Sequence, residues 1–224
     1  MASILALIPA GGSGTRLGSR TPKQFLALGG GPILAATVAH FARHPAVVAI
    51  VVAAPAAHVA RARRALRGLG RRGAVTVVAG GQTRQESVWR ALQAAPDTDM
   101  VVVHDAVRPF ITRGLIDAVV GAARGAGAAI CALPVSDTVK RVRGDEVEAT
   151  VDRTGLWTVQ TPQAFRGALL REAHEKAQRD GVIGTDDAAL VERLGHPVKV
   201  VPGLARNLKI TTPEDLRRAR KMAI

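Results

Sequence analysis

The chain has 224 residues, 47% of them hydrophobic, which suits one α/β domain with a sizeable core and excludes a disordered chain. With 31 Lys and Arg against 18 Asp and Glu, the formal charge is +13, pointing to nucleic acid, an anionic surface or phosphorylated small molecules as partners. Aromatics are only 3% and Tyr is absent, which argues against base-stacking platforms for single-stranded nucleic acid.

The first apolar run, Ile4–Ile8, predicts a strand. No basic stretch precedes it, so no secretory signal is expected, and no apolar run reaches membrane-spanning length. A glycine-rich loop follows, from Pro9 to Phe25. Next come a helix over Ile33–Arg43, a strand over Val47–Ala53 and a helix over Ala57–Leu69. On that last helix Val59, Ala62, Leu66 and Leu69 share one face, with Arg61, Arg64, Arg67 and Arg71 opposite. This reads as a solvated amphipathic helix in preference to a nucleic-acid stripe. A strand over Val75–Val78, a helix over Arg84–Ala94, a strand over Met100–Val103 and a helix over Arg113–Ala123 continue the alternation.

The strand Ala128–Leu133 contains Cys131, the sole cysteine, which reads as a buried core thiol and allows no intrachain disulfide. From Pro134 to Trp157 the rhythm breaks: two short alternating stretches flank Arg143-Gly144-Asp145 and predict a β-hairpin arm that covers a site or grips a partner. Helices over Gly167–Gln178 and Asp186–Leu194, a strand over Val198–Val201 and a helix over Pro213–Met222 complete the chain. Thr212 with Pro213, Glu214 and Asp215 is a strong helix start, and Thr185 is a plausible N-cap before Asp186. The expected fold is a doubly wound α/β domain over 1–224, with a mostly parallel sheet covered on both faces and an arm at about 134–157. No room is expected for a second catalytic domain, and the whole reads as a soluble cytoplasmic protein.

The loop after the first strand is where open α/β sheets bind ligands. A dinucleotide turn needs a third glycine after Gly12 and Gly14 and an acid ending the second strand; Leu17 and Val52-Ala-Ala-Pro55 supply neither. A P-loop needs a glycine before its lysine, and Pro22 precedes Lys23. What remains is a loop whose Gly11, Gly12 and Gly14 form an anion nest, with Arg16 as a planar fork and Lys23 as a point charge for phosphoryl oxygens.

Pro-Ala-Gly-Gly-Ser-Gly-Thr-Arg (9–16) and Thr-Pro-Lys-Gln (21–24) resemble the signature loop of the nucleotidyltransferase superfamily that makes nucleotide sugars. Further segments at 80–88, 103–109, 134–140, 150–157, 160–163 and 207–211 follow in order. Together they resemble the 2-C-methyl-D-erythritol 4-phosphate cytidylyltransferase family over nearly the whole chain. The ribitol-5-phosphate cytidylyltransferase branch has similar motifs and stands as the alternative. A non-catalytic basic nucleic-acid-binding protein is a more distant one, explaining the charge but not the phosphate motifs.

The resemblance implies a Rossmann-like nucleotidyltransferase fold, transfer of CMP from CTP to a phosphorylated polyol, and Mg²⁺ or another divalent cation. It implies that Arg16 and Lys23 stabilise the transition state, and that Arg153 and Lys209 bind and orient the polyol phosphate. It assigns CTP contacts to Ala10, Gly11, Gly12, Gly14, Gly81, Gln82, Ser87 and Asp105. It assigns polyol-phosphate contacts to Asp105, Ala106, Arg108, Thr138, Arg153, Thr161, Thr185 and Lys209. Asp105 is the candidate metal ligand, with Mg²⁺ held mainly by the CTP phosphates. A homodimer joined through the arm is implied, with Arg153 delivered to the neighbouring site, and with neither nucleic acid nor membrane as partner.

Overall fold

In the structure, a computed structural model, residues 3–12, 21–70 and 74–223 are described. Gly14, Arg16 and Arg71 lie outside them. The elements in chain order are β1 (Ile4–Pro9), β2 (Ala27–Leu28), β3 (Gly31–Pro32), α1 (Ile33–Ala42), β4 (Val47–Ala54), α2 (Val59–Ala65) and β5 (Ala74–Ala79). They continue with α3 (Arg84–Gln93), β6 (Met100–Val103), α4 (Arg113–Ala126), β7 (Ala128–Pro134), β8 (Val139–Arg143) and β9 (Glu146–Val151). The last are β10 (Trp157–Arg166), α5 (Gly167–Arg179), α6 (Asp187–Glu192), β11 (Lys199–Pro202) and α7 (Pro213–Met222).

Seven strands form one sheet in the order β11-β7-β10-β6-β1-β4-β5. Every pairing is parallel except those of β10, which runs antiparallel to both β6 and β7. β10 is the one sheet strand the hydrophobic pattern misses. Its centre is Gln160-Thr-Pro-Gln163, and proline normally demotes a run from a central strand. The register shifts between Gln160 and Gln163, and this irregularity accommodates Pro162.

Alternate residues of each strand face opposite layers, so both faces are apolar. Ile4, Ala6 and Ile8 pack with Leu34, Val38 and Phe41 of α1 and Ile116, Val119 and Val120 of α4. Leu5 and Leu7 pack with Val88 and Leu92 of α3, Leu170 of α5 and Val191 of α6. A smaller cluster of Leu28, Ile33, Val107, Phe110, Ile210 and Ala219 seats α7 beside the pocket loops.

The capping expectation for α7 holds: Thr212 Oγ1 accepts from Asp215 N at 3.1 Å, and the Asp215 carboxylate accepts from Thr212 N at 2.8 Å. Thr185 is not the cap of α6. Asp186 is, accepting from Ala189 N at 2.9 Å, because its side chain, one residue nearer, reaches the first turn. The regular part of α2 is shorter than the apolar pattern suggests, and a 3-10 turn over Ala56–His58 leads into it. Ala62 and Leu66 are buried as expected, while Arg61 lies over the Phe25 ring with its guanidinium carbon 4.6 Å from the centroid. β8 and β9 form the expected hairpin, separate from the main sheet, with Gly144 at φ 63° where the turn needs a left-handed residue.

Candidate active site

The chain climbs outward from β1 to β4 to β5, then returns to place β6 on the other side of β1. The break in order between β1 and β6 is a topological switch point, where loops diverge and leave a crevice at the carboxyl ends of the strands. A pocket of about 400 Å³ opens there, within the usual range for a small-molecule site. Ala10 to Gly12 reach it from β1, Lys23 and Gln24 from the following 3-10 turn, Gly81 to Arg84 from β5, and Asp105 to Val107 from β6. Ser87 and Lys209 complete the wall.

The structure therefore brings together the sequence candidates Ala10, Gly11, Gly12, Lys23, Gly81, Gln82, Ser87, Asp105, Ala106 and Lys209. At the glycine end the geometry is tight. Ser87 Oγ accepts from Gly81 N at 3.1 Å and donates to Thr83 O at 2.9 Å. A Cβ on Gly11 would stand 3.3 Å from that hydroxyl, and one on Gly12 would stand 3.4 Å from Lys23 Cε. A Cβ on Gly81 would run into the Glu86 side chain. Gln82 is exposed and its N–H already donates to Glu86 Oε2 at 2.7 Å.

At the other end, Asp105 sits among three cations. Lys209 Nζ is 2.8 Å from Oδ2, Arg84 Nε 3.2 Å from Oδ1 and Arg108 Nε 3.5 Å from Oδ2. Burial opposes the charge on Asp105, but Arg84, Lys209 and Arg108 outweigh it and hold the carboxyl well below the usual carboxylate range. Asp105 is thus a charged anchor for the cations of the pocket.

Arg108 and Thr161 do not line the pocket. Arg108 is buried, donating through Nη1 to Asn207 O at 2.8 Å, so it ties the Asp105 turn to the segment that carries Lys209. Asn207 Nδ2 in turn donates to Thr161 O at 2.7 Å. Thr161 Oγ1 accepts from Asp105 N at 3.0 Å and lies 3.1 Å from His104 Nδ1. His104 Nε2 faces the Arg108 carbonyl at 3.1 Å, so that nitrogen carries the proton and Nδ1 accepts from the threonine hydroxyl. Burial drives the His104 pKa down to about 4, in keeping with this neutral tautomer.

Thr138 and Arg153 lie exposed at the base of the arm, where Arg153 Nη1 donates to the Ser136 carbonyl, and Thr185 is exposed before α6; none of them lines the pocket of its own chain. Cys131 is buried, and burial raises its thiol pKa to about 12, so it offers no thiolate. Among the described residues no group of three or more His, Cys, Asp or Glu could hold a metal ion by itself.

Sequence reasoning gave no role to Arg84, the first residue of α3. A cation at a helix N-terminus opposes the macrodipole, and that misfit was the available signal. Its compensation comes from elsewhere in the chain: Arg84 Nη1 meets Asp187 Oδ2 at 2.7 Å while Nε meets Asp105. Burial disfavours the Arg84 charge, yet Asp187 and Asp105 raise its pKa above the ordinary guanidinium value.

A glycine-lined, cation-rich pocket at the switch point of a mostly parallel sheet defines a nucleotidyltransferase-type α/β enzyme. The chain belongs to the 2-C-methyl-D-erythritol 4-phosphate cytidylyltransferase family, whose model matches residues 4–223. A protein of that name from Salinibacter ruber is 49% identical over 210 residues, covering 93% of this chain and 88% of its own length. One from Syntrophus aciditrophicus is 44% identical over 224 residues, covering 95% of this chain and 92% of its own. A crystal structure of the Thermus thermophilus cytidylyltransferase of the same name superposes with a TM-score of 0.83 at 42% identity, covering 99% of this chain and 98% of that one. These relatives carry the methylerythritol name and not the ribitol alternative.

Proposed function

We propose that the protein transfers CMP from CTP to 2-C-methyl-D-erythritol 4-phosphate, giving 4-diphosphocytidyl-2-C-methyl-D-erythritol and pyrophosphate. The observation that carries this is the single pocket wall uniting the glycine nest and Lys23 with Asp105 and Lys209, in a chain of this family.

The chemistry asks for little proton transfer. A phosphate oxygen of the polyol attacks the α-phosphorus, the bond to the bridging oxygen breaks, and pyrophosphate leaves with that electron pair. The nucleophile is already anionic, so the obstacle is the approach of an anion to a polyanion. Backbone N–H groups of Gly11 and Gly12 would cradle the triphosphate, with Lys23 and Arg16 meeting charge that develops at the phosphorus. Gly81 and Ser87 would hold the cytosine, and Lys209, anchored by Asp105, would receive the incoming phosphate.

Asp105 is the only carboxylate among the described residues lining the pocket. Magnesium takes one or two carboxylates and otherwise keeps water and phosphate oxygens, so this donor set fits an ion held chiefly by the nucleotide. Such an ion would supply charge neutralisation on the triphosphate.

A homodimer is part of the same reading. Val142 and Val147 pair across the arm and are 54% and 62% exposed, an apolar surface that a second copy would cover. Arg153, at the return of the arm, would then enter the neighbouring pocket. The lone buried cysteine supports a cytoplasmic setting. Among the described residues no helix is long and apolar enough to cross a membrane.

Pyrophosphate release from purified protein tests the assignment. Activity is expected with CTP, methylerythritol phosphate and Mg²⁺, and little with other nucleoside triphosphates or with ribitol phosphate. Equal or greater turnover of ribitol phosphate would overturn it.

A further inference from the structure

Behind the pocket wall runs a line of charge that the transfer reaction does not itself require. The Trp89 and His174 rings stack with centroids 6.0 Å apart and planes 11° from parallel. His174 Nε2 meets Asp187 Oδ1 at 3.0 Å, and both residues are 1% exposed. Asp187 Oδ2 accepts from Arg84 Nη1, and Arg84 Nε reaches Asp105 Oδ1, whose other oxygen faces Lys209. The line crosses five separate pieces of chain: α5, α6, α3, the turn after β6 and the segment before α7 that carries Lys209.

We propose that Arg84 is a positioning residue, held at one end by buried Asp187 and fixing at the other the Asp105 carboxylate that anchors Lys209. The inference rests on the cytidylyltransferase reading of the same pocket. A buried carboxylate such as Asp187 is costly without a partner, and here His174 meets one oxygen and Arg84 the other, so each oxygen has a partner. Arginine suits the task because its planar fork offers Nε and Nη1 on fixed vectors, so two carboxylates are held at a set separation. A lysine brings the same charge but only one ammonium, which cannot span both acids in that geometry. The clamp explains why a cation opens α3 despite the helix dipole. It also leaves Oδ2 of Asp105 to Lys209 and Arg108, so the carboxylate cannot rotate without breaking a contact to one of them.

The test compares Arg84→Gln, Arg84→Lys and Asp187→Asn with wild type, reading kcat, KM for each substrate and thermal midpoint. Asp187 does not line the pocket, so Asp187→Asn probes the clamp without touching ligand. The clamp requires kcat to fall at least about tenfold in all three variants, while direct CTP binding, read by calorimetry, stays within about threefold. Arg84→Lys should fail to rescue, because geometry and not charge is lost. If Arg84→Lys and Asp187→Asn keep kcat within twofold of wild type, the clamp is overturned. It is equally overturned if activity falls only in proportion to the fraction unfolded at the assay temperature. Wild-type protein that releases no pyrophosphate would overturn the functional reading and this inference with it, whereas active wild type with unaffected variants removes the clamp alone.

Discussion

The Ser87 hydroxyl lies 2.8 Å from the point where a Cβ on Gly80 would stand, closer than side-chain carbons approach an oxygen. On its other side Gly80 N donates to Ala54 O at 2.7 Å, which fixes the backbone at the end of β5. A methyl group at 80 must therefore displace either the serine or the strand end. Gly80→Ala is expected to destabilise by about 1–3 kcal/mol and to raise KM for CTP at least about tenfold. Ser87→Gly removes the obstructing oxygen, so the double variant should recover part of the lost stability relative to additivity. Urea unfolding of the four proteins checks this, and strict additivity would count against the proposed contact.

A second consequence follows from the neutral imidazole of His104. Its folded pKa of about 4 lies below the ordinary 6.5, so below pH 6.5 the unfolded chain binds a proton that the folded one refuses. Stability is full above pH 6.5, falls as pH drops towards 4, and the loss amounts to roughly 3 kcal/mol over that window. Asp105, with its depressed pKa, adds a loss only below its unfolded value of about 3.9. His104→Gln cannot titrate and should be less stable at pH 7.5 but flatter between pH 7 and 4.5. Parallel pH curves for the two proteins would remove His104 from the account.

Most of the fold is legible because the central strands β1, β4 and β6 are continuous apolar runs buried on both faces and the helices carry clear 3.6-residue patterns. β10 escaped because its central residues serve the site: Gln160 and Thr161 are held by Asn207 and the His104–Asp105 turn, not by an apolar face. That Gly11, Gly12, Lys23 and the β6 carboxylate Asp105 share one pocket wall was readable from residue type and position alone. Arg84 and Asp187 were not, since their pairing joins residues 103 apart in the chain. Arg108 and Thr161, which the resemblance assigns to the polyol phosphate, stand off the pocket lining and brace Asp105 from behind, through contacts that no local pattern announces.

The arm carries a prediction about subunits. If Arg153 serves the neighbouring pocket, a site needs Lys23 from one chain and Arg153 from the other. Mixing inactive Lys23→Ala with inactive Arg153→Ala protein creates mixed dimers in which one of the two pockets is intact. Random exchange in an equal mixture should restore up to about a quarter of wild-type activity. Mixed dimers verified by tagged pull-down that remain inactive would mean that each chain completes its own site.

Lys23 itself offers the sharpest test of how the pocket works. Its Cε would stand 3.4 Å from a Cβ on Gly12, so its stem lies against the glycine nest, and it lines the same pocket as Asp105 and Lys209. A lysine that only gathered nucleotide would contribute equally before and during reaction, and its loss would appear in KM. A lysine aimed at charge that grows on the α-phosphoryl group contributes more in the transition state. Lys23→Ala should therefore lower kcat by about 10²–10³ while CTP affinity falls less than tenfold. Lys23→Arg should recover only part of the rate, because a planar fork cannot occupy the place of a point charge above Gly12. Single-turnover rates at saturating CTP separate the two effects, and a variant with near-normal turnover but weak binding would make Lys23 a binding residue only.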